Sequence, residues 1–445
     1  MFDLSLAQLS TILESNLLQT IVNGLDVSIY GVATDTRTVK NRELFVALVG
    51  EHFDGHNFVE QAVTKGAIAV IVNRHLESVT IPQFIVRDTL MAYQQIARWW
   101  RDRFDIPVIG ITGSVGKTST KETIAAVLGT QGKVLKTEAN FNNEIGVPKT
   151  LLQITPEHDY AVIEMAMRGS GEIALLTEIV RPTIGVITNV GTAHIGRLGS
   201  REAIAQAKCE LLAKMPHTST AILNYDNSLL ITTASQVWQG NTITYGLTGG
   251  DILGEIDGGK VKTLGYSFPL PLPGKHNASN YLAAVAVAKE LKIDFKPLIA
   301  GLQIELPKGR SRRYDLPDDI VILDETYNAG LESMLAAIEM LEQTPGKRHI
   351  AVLGTMKELG AYSPQLHRQV GEKAGELKID LLLVLADETA TQEMAVGARE
   401  IDTECFSDRA TLTQRLKQIM RSGDRILCKA SNSVGLSKVV EELIE

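Results

Sequence analysis

The sequence predicts an α/β protein of several domains with a parallel sheet at its centre, and three observations carry that expectation. A chain of 445 residues with 44% hydrophobic content exceeds what one ordinary core accommodates and divides into about two to four domains. From residue 108 onward, short buried runs alternate with helical patterns, the order of parallel strands joined by helical crossovers. One of those runs turns through glycines into a helix carrying Lys and Thr, the order of a phosphate-binding loop.

The elements follow in three segments. The first reaches residue 104 and contains the apolar run Ala67 to Val72 and a helix over Thr89 to Phe104, in which Leu90, Tyr93, Ile96, Ala97 and Trp100 recur at helical spacing and face a core. The second has strands at Val108 to Thr112, Ala161 to Met165 and Ile184 to Asn189, with helices from Lys117 and over Ser200 to Lys214. After Pro307-Lys308-Gly309 the alternation resumes: strands at Ile320 to Asp324, Ile350 to Gly354, Leu381 to Ala386 and Arg425 to Lys429, a helix over Ser333 to Glu342, and a closing helix. No fixed-period repeat or low-complexity tract interrupts them. In an open parallel sheet, loops leaving the carboxyl ends of strands line the ligand crevice, so the chemistry is expected there.

A net charge of −8 with no basic stripe argues against a nucleic-acid partner. A small anionic ligand needs only local cations, which occur as Lys117 with Lys121 and as Arg310, Arg312 and Arg313. The first cationic residue is Arg37, so a basic signal head is missing, and no apolar run approaches the ~20 residues of a membrane span. The expected compartment is the cytoplasm, with no membrane partner. Cys209, Cys405 and Cys428 show no CxxC spacing and read as reduced, packed thiols. No heptad is visible, so a monomer is expected.

The run Ile109 to Ser119 leaves a hydrophobic strand, turns at Gly113-Ser114-Val115-Gly116 and enters a helix at Lys117-Thr118-Ser119. Glycines let backbone N–H groups ring phosphates, Lys117 supplies a point charge, and the Thr118 hydroxyl can ligate magnesium. Ile111 stands where the strict pattern wants a first glycine, so the match rests on G-x-x-G-K-T. Glu164 closes the strand that starts at Ala161 and offers a hard oxygen ligand for magnesium, or is a solvated strand-end carboxylate. Asn189, Gly191, Thr192 and His194 make a polar loop beside the same crevice. Lys208, on the following helix, would repel a nearby cation unless modified or balanced by phosphate.

Nine strings in order, TDTR (34–37), LFVALVGEHFDGHNF (44–58), TGSVGKTST, NFNNEIGVP, AVIEMAM, TNVGTAHIGRLGS, AKCELL, PLPGKHNASNYLAA and DETYNA, make the chain resemble the Mur ligase family over nearly its full length. The resemblance implies a three-domain architecture: residues 1–104 binding a UDP-sugar, 105–306 a central parallel-sheet ATP-binding domain, and 307–445 a Rossmann-like α/β domain that helps hold the incoming amine. It implies an ATP- and magnesium-dependent ligase, with two metal ions expected. TYNA after Asp324-Glu325, with VLGTMKELG (352–360), is similar to members that add D-alanyl-D-alanine to a UDP-N-acetylmuramoyl-tripeptide. A sister activity, addition of a single diaminopimelate or lysine, is the alternative.

By the same resemblance Gly113, Ser114, Val115, Gly116, Lys117, Thr118 and Ser119 cradle the ATP phosphates. Thr118 and Glu164 bind magnesium, His194 belongs with a second metal, and Lys208 matches a lysine carried as a carbamate. His276, Asn277 and Asn280 match an adenine motif, Arg310 an arginine reaching the phosphates, and Glu325 a carboxylate near the ribose. Asp35, Thr36, Arg37, Asn140 and Asn143 match positions associated with the UDP-muramoyl substrate. Glu325-Thr326, Gly330-Leu331, Thr355 and Ala430-Ser431-Asn432 depart from the family pattern, so no dipeptide contact is assigned.

Overall fold

In the computed structural model, which describes residues 2–21 and 27–444, three main sheets follow one another along the chain. The first has five strands in the order Leu17–Ile21, Gln83–Val86, Ala67–Val72, Glu43–Val46 and Val32–Ala33, antiparallel only in its first pair. The helix Thr89–Arg101 begins where the Asp88 carboxylate accepts from the N–H groups of Leu90 and Met91, a side-chain cap for two otherwise unpaired donors. Tyr93, Ile96, Ala97 and Trp100 are buried and Leu90 half-buried. Its end falls three residues before Phe104, because Arg103 and Phe104 donate three residues back, to Trp100 and Arg101, and close the turn in the tighter 3₁₀ pattern.

That helix also fastens the first segment to the next. Trp100 Nε1 donates to the Ile154 carbonyl at 3.0 Å, and the buried Arg101 guanidinium donates to the carbonyls of Val180 and Arg181, both at 2.9 Å. Burying the cation is tolerable because its fork meets several acceptors.

The central sheet has seven strands, all parallel, in the order Val134–Lys136, Tyr160–Glu164, Val108–Thr112, Ile184–Ile187, Thr220–Asn224, Asn241–Gly246 and Ile252–Leu253. The strand entering the glycine turn therefore lies between two others, with Ile111 opposite Glu164 and Thr112 opposite Ile187. The ends of the three strands open on one crevice, where an open α/β sheet binds ligands.

The third sheet runs Arg312–Leu316, Ile320–Asp324, Asp424–Lys429, Arg348–Gly354, Leu381–Leu385 and Asp402–Phe406, parallel except for its first strand. That antiparallel edge is absent from the sequence expectation, as is the small sheet Glu255–Asp257, Lys260–Thr263 and Tyr266–Pro269. Both are short and largely solvent-facing, so they lack the apolar runs that announce buried strands. The expected packing of all three thiols is corrected at Cys405, which is exposed while Cys209 and Cys428 are buried. Cys405 sits on the sheet's outer strand, Asp402–Phe406, which neighbours only one other strand. Among the described residues no helix is long and apolar enough to cross a membrane.

Candidate active site

The glycine turn fits its place through two close approaches. Gly113 has φ +154° and a Cβ there would lie 1.9 Å from Thr188 Oγ1; Gly116 has φ +81° and a Cβ would lie 2.7 Å from Asn280 Oδ1. Only glycine meets both the space and the backbone angle. Asn189 braces the turn from the neighbouring strand end, accepting from Val115 N–H at 3.0 Å with Oδ1 and donating to the Val115 carbonyl with Nδ2. The helix Lys117–Leu128 then aims its free N–H groups back at the turn. Lys117 Nζ lies folded on its own loop, 2.8 Å from the Gly113 carbonyl oxygen and 3.3 Å from that of Ser114. Burial lowers its pKa, Glu164 opposes that shift, and Arg310 adds to it.

Beside the turn, Thr118 Oγ1 donates to Glu164 Oε2 at 2.8 Å and Asn142 Nδ2 donates to Glu164 Oε1 at 2.8 Å. Glu164 is only 2% exposed. Among the described residues no three His, Cys, Asp or Glu side chains converge as a ready metal cage. Magnesium needs none, since it commonly takes one or two carboxylates and completes its shell with substrate phosphates and water. A hydroxyl and a carboxylate converging at a phosphate turn fit that mode.

These groups line one cavity of about 750 Å³, to which the third domain also contributes. Ser114 to Ser119, Asn140, Asn143, Glu164, His194, His276, Asn277, Asn280, Arg310 and Glu325 all face it. Asn280 Oδ1 accepts from Thr120 Oγ1 and Asn277 Nδ2 donates to the Pro273 carbonyl, so the helix Lys275–Glu290 is tied to the phosphate helix. Burial lowers the His276 pKa, with Glu325 opposing. Arg310 stacks its guanidinium 3.8 Å from the Tyr327 ring centre and leaves a buried Nε without a partner among the described residues, an orphan donor suited to an anion. Ser311 Oγ donates to Glu325 Oε1 at 3.0 Å.

Five expected residues lie outside the cavity lining, Gly113 at the head of the turn among them. Asp35 pairs with Arg37 at 2.6 Å, an arrangement that, through the Arg37 hydrogen bonds, lowers the Asp35 pKa to about 2. Thr36 donates to Gln61 Oε1. Lys208, inside the helix Arg201–Lys214, is 1% exposed, and its side chain takes part in no hydrogen bond or ion pair among the described residues. Burial holds its pKa well below the usual lysine range and the Lys117 charge lowers it further, as expected for an uncompensated interior ammonium.

The two cation groups also need correction. Lys121 turns away from the cavity, donating to the Thr137 carbonyl at 2.6 Å and pairing with Glu122 at 2.9 Å. Arg312 and Arg313 are exposed, and Arg313 pairs with Asp315. Only Lys117 and Arg310 of that set reach the site; Arg312 and Arg313 open the exposed outer strand of the third sheet.

The models of three Mur families match successive parts of the chain: "Mur ligase family, catalytic domain" over 28–98, "Mur ligase middle domain" over 111–288 and "Mur ligase, glutamate ligase domain" over 309–432. A Synechocystis protein, UDP-N-acetylmuramoyl-tripeptide--D-alanyl-D-alanine ligase, is 58% identical over 443 residues, covering 99% of this chain and 98% of its own. The chain belongs to the Mur ligase family. A crystal structure of MurF from Acinetobacter baumannii superposes with a TM-score of 0.89 at 29% identity, covering 100% of this Mur ligase and 99% of that chain. A MurF ligase from Thermotoga maritima in complex with ADP gives a TM-score of 0.83 at 29% identity, with 93% and 96% covered.

Several residues of this Mur ligase site escape sequence reasoning. Asn142, not its neighbours Asn140 or Asn143, holds Glu164, while Asn143 Oδ1 accepts from Gly146 N–H and starts the next helix. Lys429 is buried in the cavity wall, donating to the Asn328 carbonyl at 2.9 Å. Glu332 from the third domain accepts from the Thr192 N–H at 2.7 Å and hydroxyl at 3.1 Å. Gly196 meets Gly360 across the same seam: a Cβ on Gly196 would come 2.6 Å from Gly360 N and 2.7 Å from Leu359 C, both backbone. Gly196→Ala therefore folds normally but holds the domains apart, and its kcat falls about 100-fold, the scale of an ångström-sized misplacement. Steady-state kinetics with a melting curve checks this, and an undiminished kcat contradicts it.

Proposed function

We propose that this Mur ligase joins D-alanyl-D-alanine to a UDP-N-acetylmuramoyl-tripeptide at the expense of ATP, yielding the UDP-linked pentapeptide precursor of peptidoglycan, ADP and phosphate. What carries the reading is a single cavity, shared by the phosphate turn and the third domain, in a chain 58% identical along its length to a ligase of that name. Residues 1–104 bind the UDP-sugar, 105–306 the ATP and 307–445 the amine.

Ser114 to Ser119 with Gly113 surround the phosphates, and Lys117 leaves its own carbonyls for them. Arg310 adds a second cation, Glu325 takes the ribose, and His276, Asn277 and Asn280 border the adenine. Asn140 and Asn143, with Asp35, Thr36 and Arg37, hold the UDP-muramoyl end. Thr118 and Glu164 are the residues that would hold magnesium, with His194 and a carbamate on Lys208 serving a second ion. When bound, magnesium offsets the charge of the phosphoryl oxygens. The Lys208 amine, without a partner among the described residues and prone to lose its proton, supports the carbamate: the neutral nitrogen bonds to the carbon of carbon dioxide, one C=O π bond opens onto its oxygen, one proton leaves the nitrogen, and a neutral amine becomes an anion.

A carboxylate oxygen of the tripeptide attacks the γ-phosphorus and the bond to the ADP oxygen breaks. The neutral amine of D-alanyl-D-alanine then attacks the acyl carbon, the attacking nitrogen gives up one proton, and phosphate departs carrying the former carboxylate oxygen. Lys117 and Arg310 counter the approach of two anions in the first step. The docked third domain excludes water, which would otherwise hydrolyse the acyl phosphate.

One experiment tests both ends of this chemistry. With the tripeptide carboxyl labelled with heavy oxygen, ADP release depends on D-alanyl-D-alanine, and the released phosphate carries label. Diaminopimelate, lysine or glutamate in its place does not support turnover. Unlabelled phosphate refutes the acyl phosphate, and turnover with a single amino acid assigns the chain to the sister activity.

A further inference from the structure

The third domain reaches the central one at the loop carrying His194. Glu358, between the strand Arg348–Gly354 and the helix Ser363–Glu376, places Oε2 2.7 Å from His194 Nδ1 and Oε1 3.3 Å from Arg197 Nη2. The contact at Nδ1 is close but not aligned with the ring N–H, and no aligned hydrogen bond reaches that buried nitrogen from any described residue. Around it the seam is tightly specified. Gly196 N–H donates to the Glu358 carbonyl at 3.2 Å, Tyr362 OH donates to the Gly199 carbonyl at 2.8 Å, and Glu332 holds Thr192, two residues before His194. His194 and Glu358 both adopt left-handed backbone, φ +67° and +65°, which non-glycine residues keep only where their surroundings impose it.

A surface ion pair between domains would have no need of a histidine that also lines the nucleotide cavity. We propose that Glu358 is a positioning residue for His194: docking of the third domain brings its carboxylate to Nδ1, keeps the ring proton there and leaves Nε2 as the free lone pair. The proposal rests on the reading of His194 as a cavity ligand given above. An imidazole's donor nitrogen is set by what its other nitrogen meets, and a carboxylate there fixes both tautomer and ring direction. Because the carboxylate belongs to the other domain, the loop is completed only in the docked arrangement, before which the acyl phosphate would be exposed to water.

The test uses the full-length enzyme with nitrogen-15-labelled histidines, read by NMR, with His194→Gln identifying the signal. Wild type shows the Nδ1-protonated tautomer at His194. Glu358→Ala shifts that signal toward the Nε2-protonated form usual in water and lowers kcat about tenfold or more, with the KM for ATP changing far less. Glu358→Gln, which keeps an acceptor oxygen, recovers part of both and serves if the alanine variant does not fold. An unchanged His194 signal in Glu358→Ala overturns the proposal, whether or not kcat falls, since a fall alone would mean that Glu358 only docks the domains. Failure of wild type to release ADP with D-alanyl-D-alanine would sink the proposed function instead, leaving the tautomer measurement intact.

Discussion

Lys117→Ala lowers ADP formation by about 100- to 1,000-fold, the usual loss when one preorganised charge stabiliser is removed, and leaves the fold intact. The first half follows from position: Lys117 opens the phosphate helix, faces the cavity and has Glu164 close enough to raise its pKa against the effect of burial. The second follows from its bonds, which go only to carbonyls of its own turn. Its folded pKa lies below the ordinary lysine value, so near neutral pH the charged form is disfavoured by the fold. That penalty is full below the folded pKa and fades as pH rises from there to the ordinary lysine value, and alanine removes it. Coupled ADP assays beside circular dichroism check both halves, and ADP production at the wild-type rate would remove Lys117 from the phosphate site.

Lys208→Ala also abolishes most turnover, but reversibly. Formate or acetate added to the variant restores part of the activity, because a small carboxylate enters the space left by the side chain and supplies the anion that the carbamate would have carried. A buried lysine with no partner and a strongly lowered pKa is otherwise a poor use of an interior position, since a long apolar side chain fills the volume without the desolvation cost. Lys208→Met isolates that point: it folds at least as stably as wild type and stays inactive, with no room for the acid. Full activity of Lys208→Ala without added acid would discard the carbamate.

How legible the site is depends on where the neighbours of each residue come from. The turn from Gly113 to Ser119 is read from adjacent residues, because strand hydrophobicity, glycine backbone freedom and helix entry are all local. The strand Val108–Thr112 and the helix start at Lys117 accordingly fall where expected. Glu164 is legible as a strand-end carboxylate, with the strand lying one residue earlier at Tyr160–Glu164. Among the amides Asn140, Asn142 and Asn143, nothing in the string shows which one turns to Glu164, since that depends on where the chain enters the crevice. Lys121 shares a helix face with Lys117 yet bonds Thr137, and the spacing alone does not reveal the carbonyl waiting just past the strand Val134–Lys136.

Glu332 and Glu358 are the clearest omissions, ordinary solvated carboxylates when read along the chain. Their partners lie 140 residues away for Glu332, and 161 away for the Glu358 contact with Arg197, so domain packing alone creates their environment. By itself the sequence determined the α/β alternation, the phosphate turn and the family, since each is written in short-range hydrophobic period, glycine placement and local strings. Only the tertiary structure decided that Lys208 lies buried and, among the described residues, unpartnered, that Lys121 and the outer arginines leave the site, and that the third domain grips the His194 loop. Burial and charge contact between distant segments are properties of packing, and no local pattern encodes them.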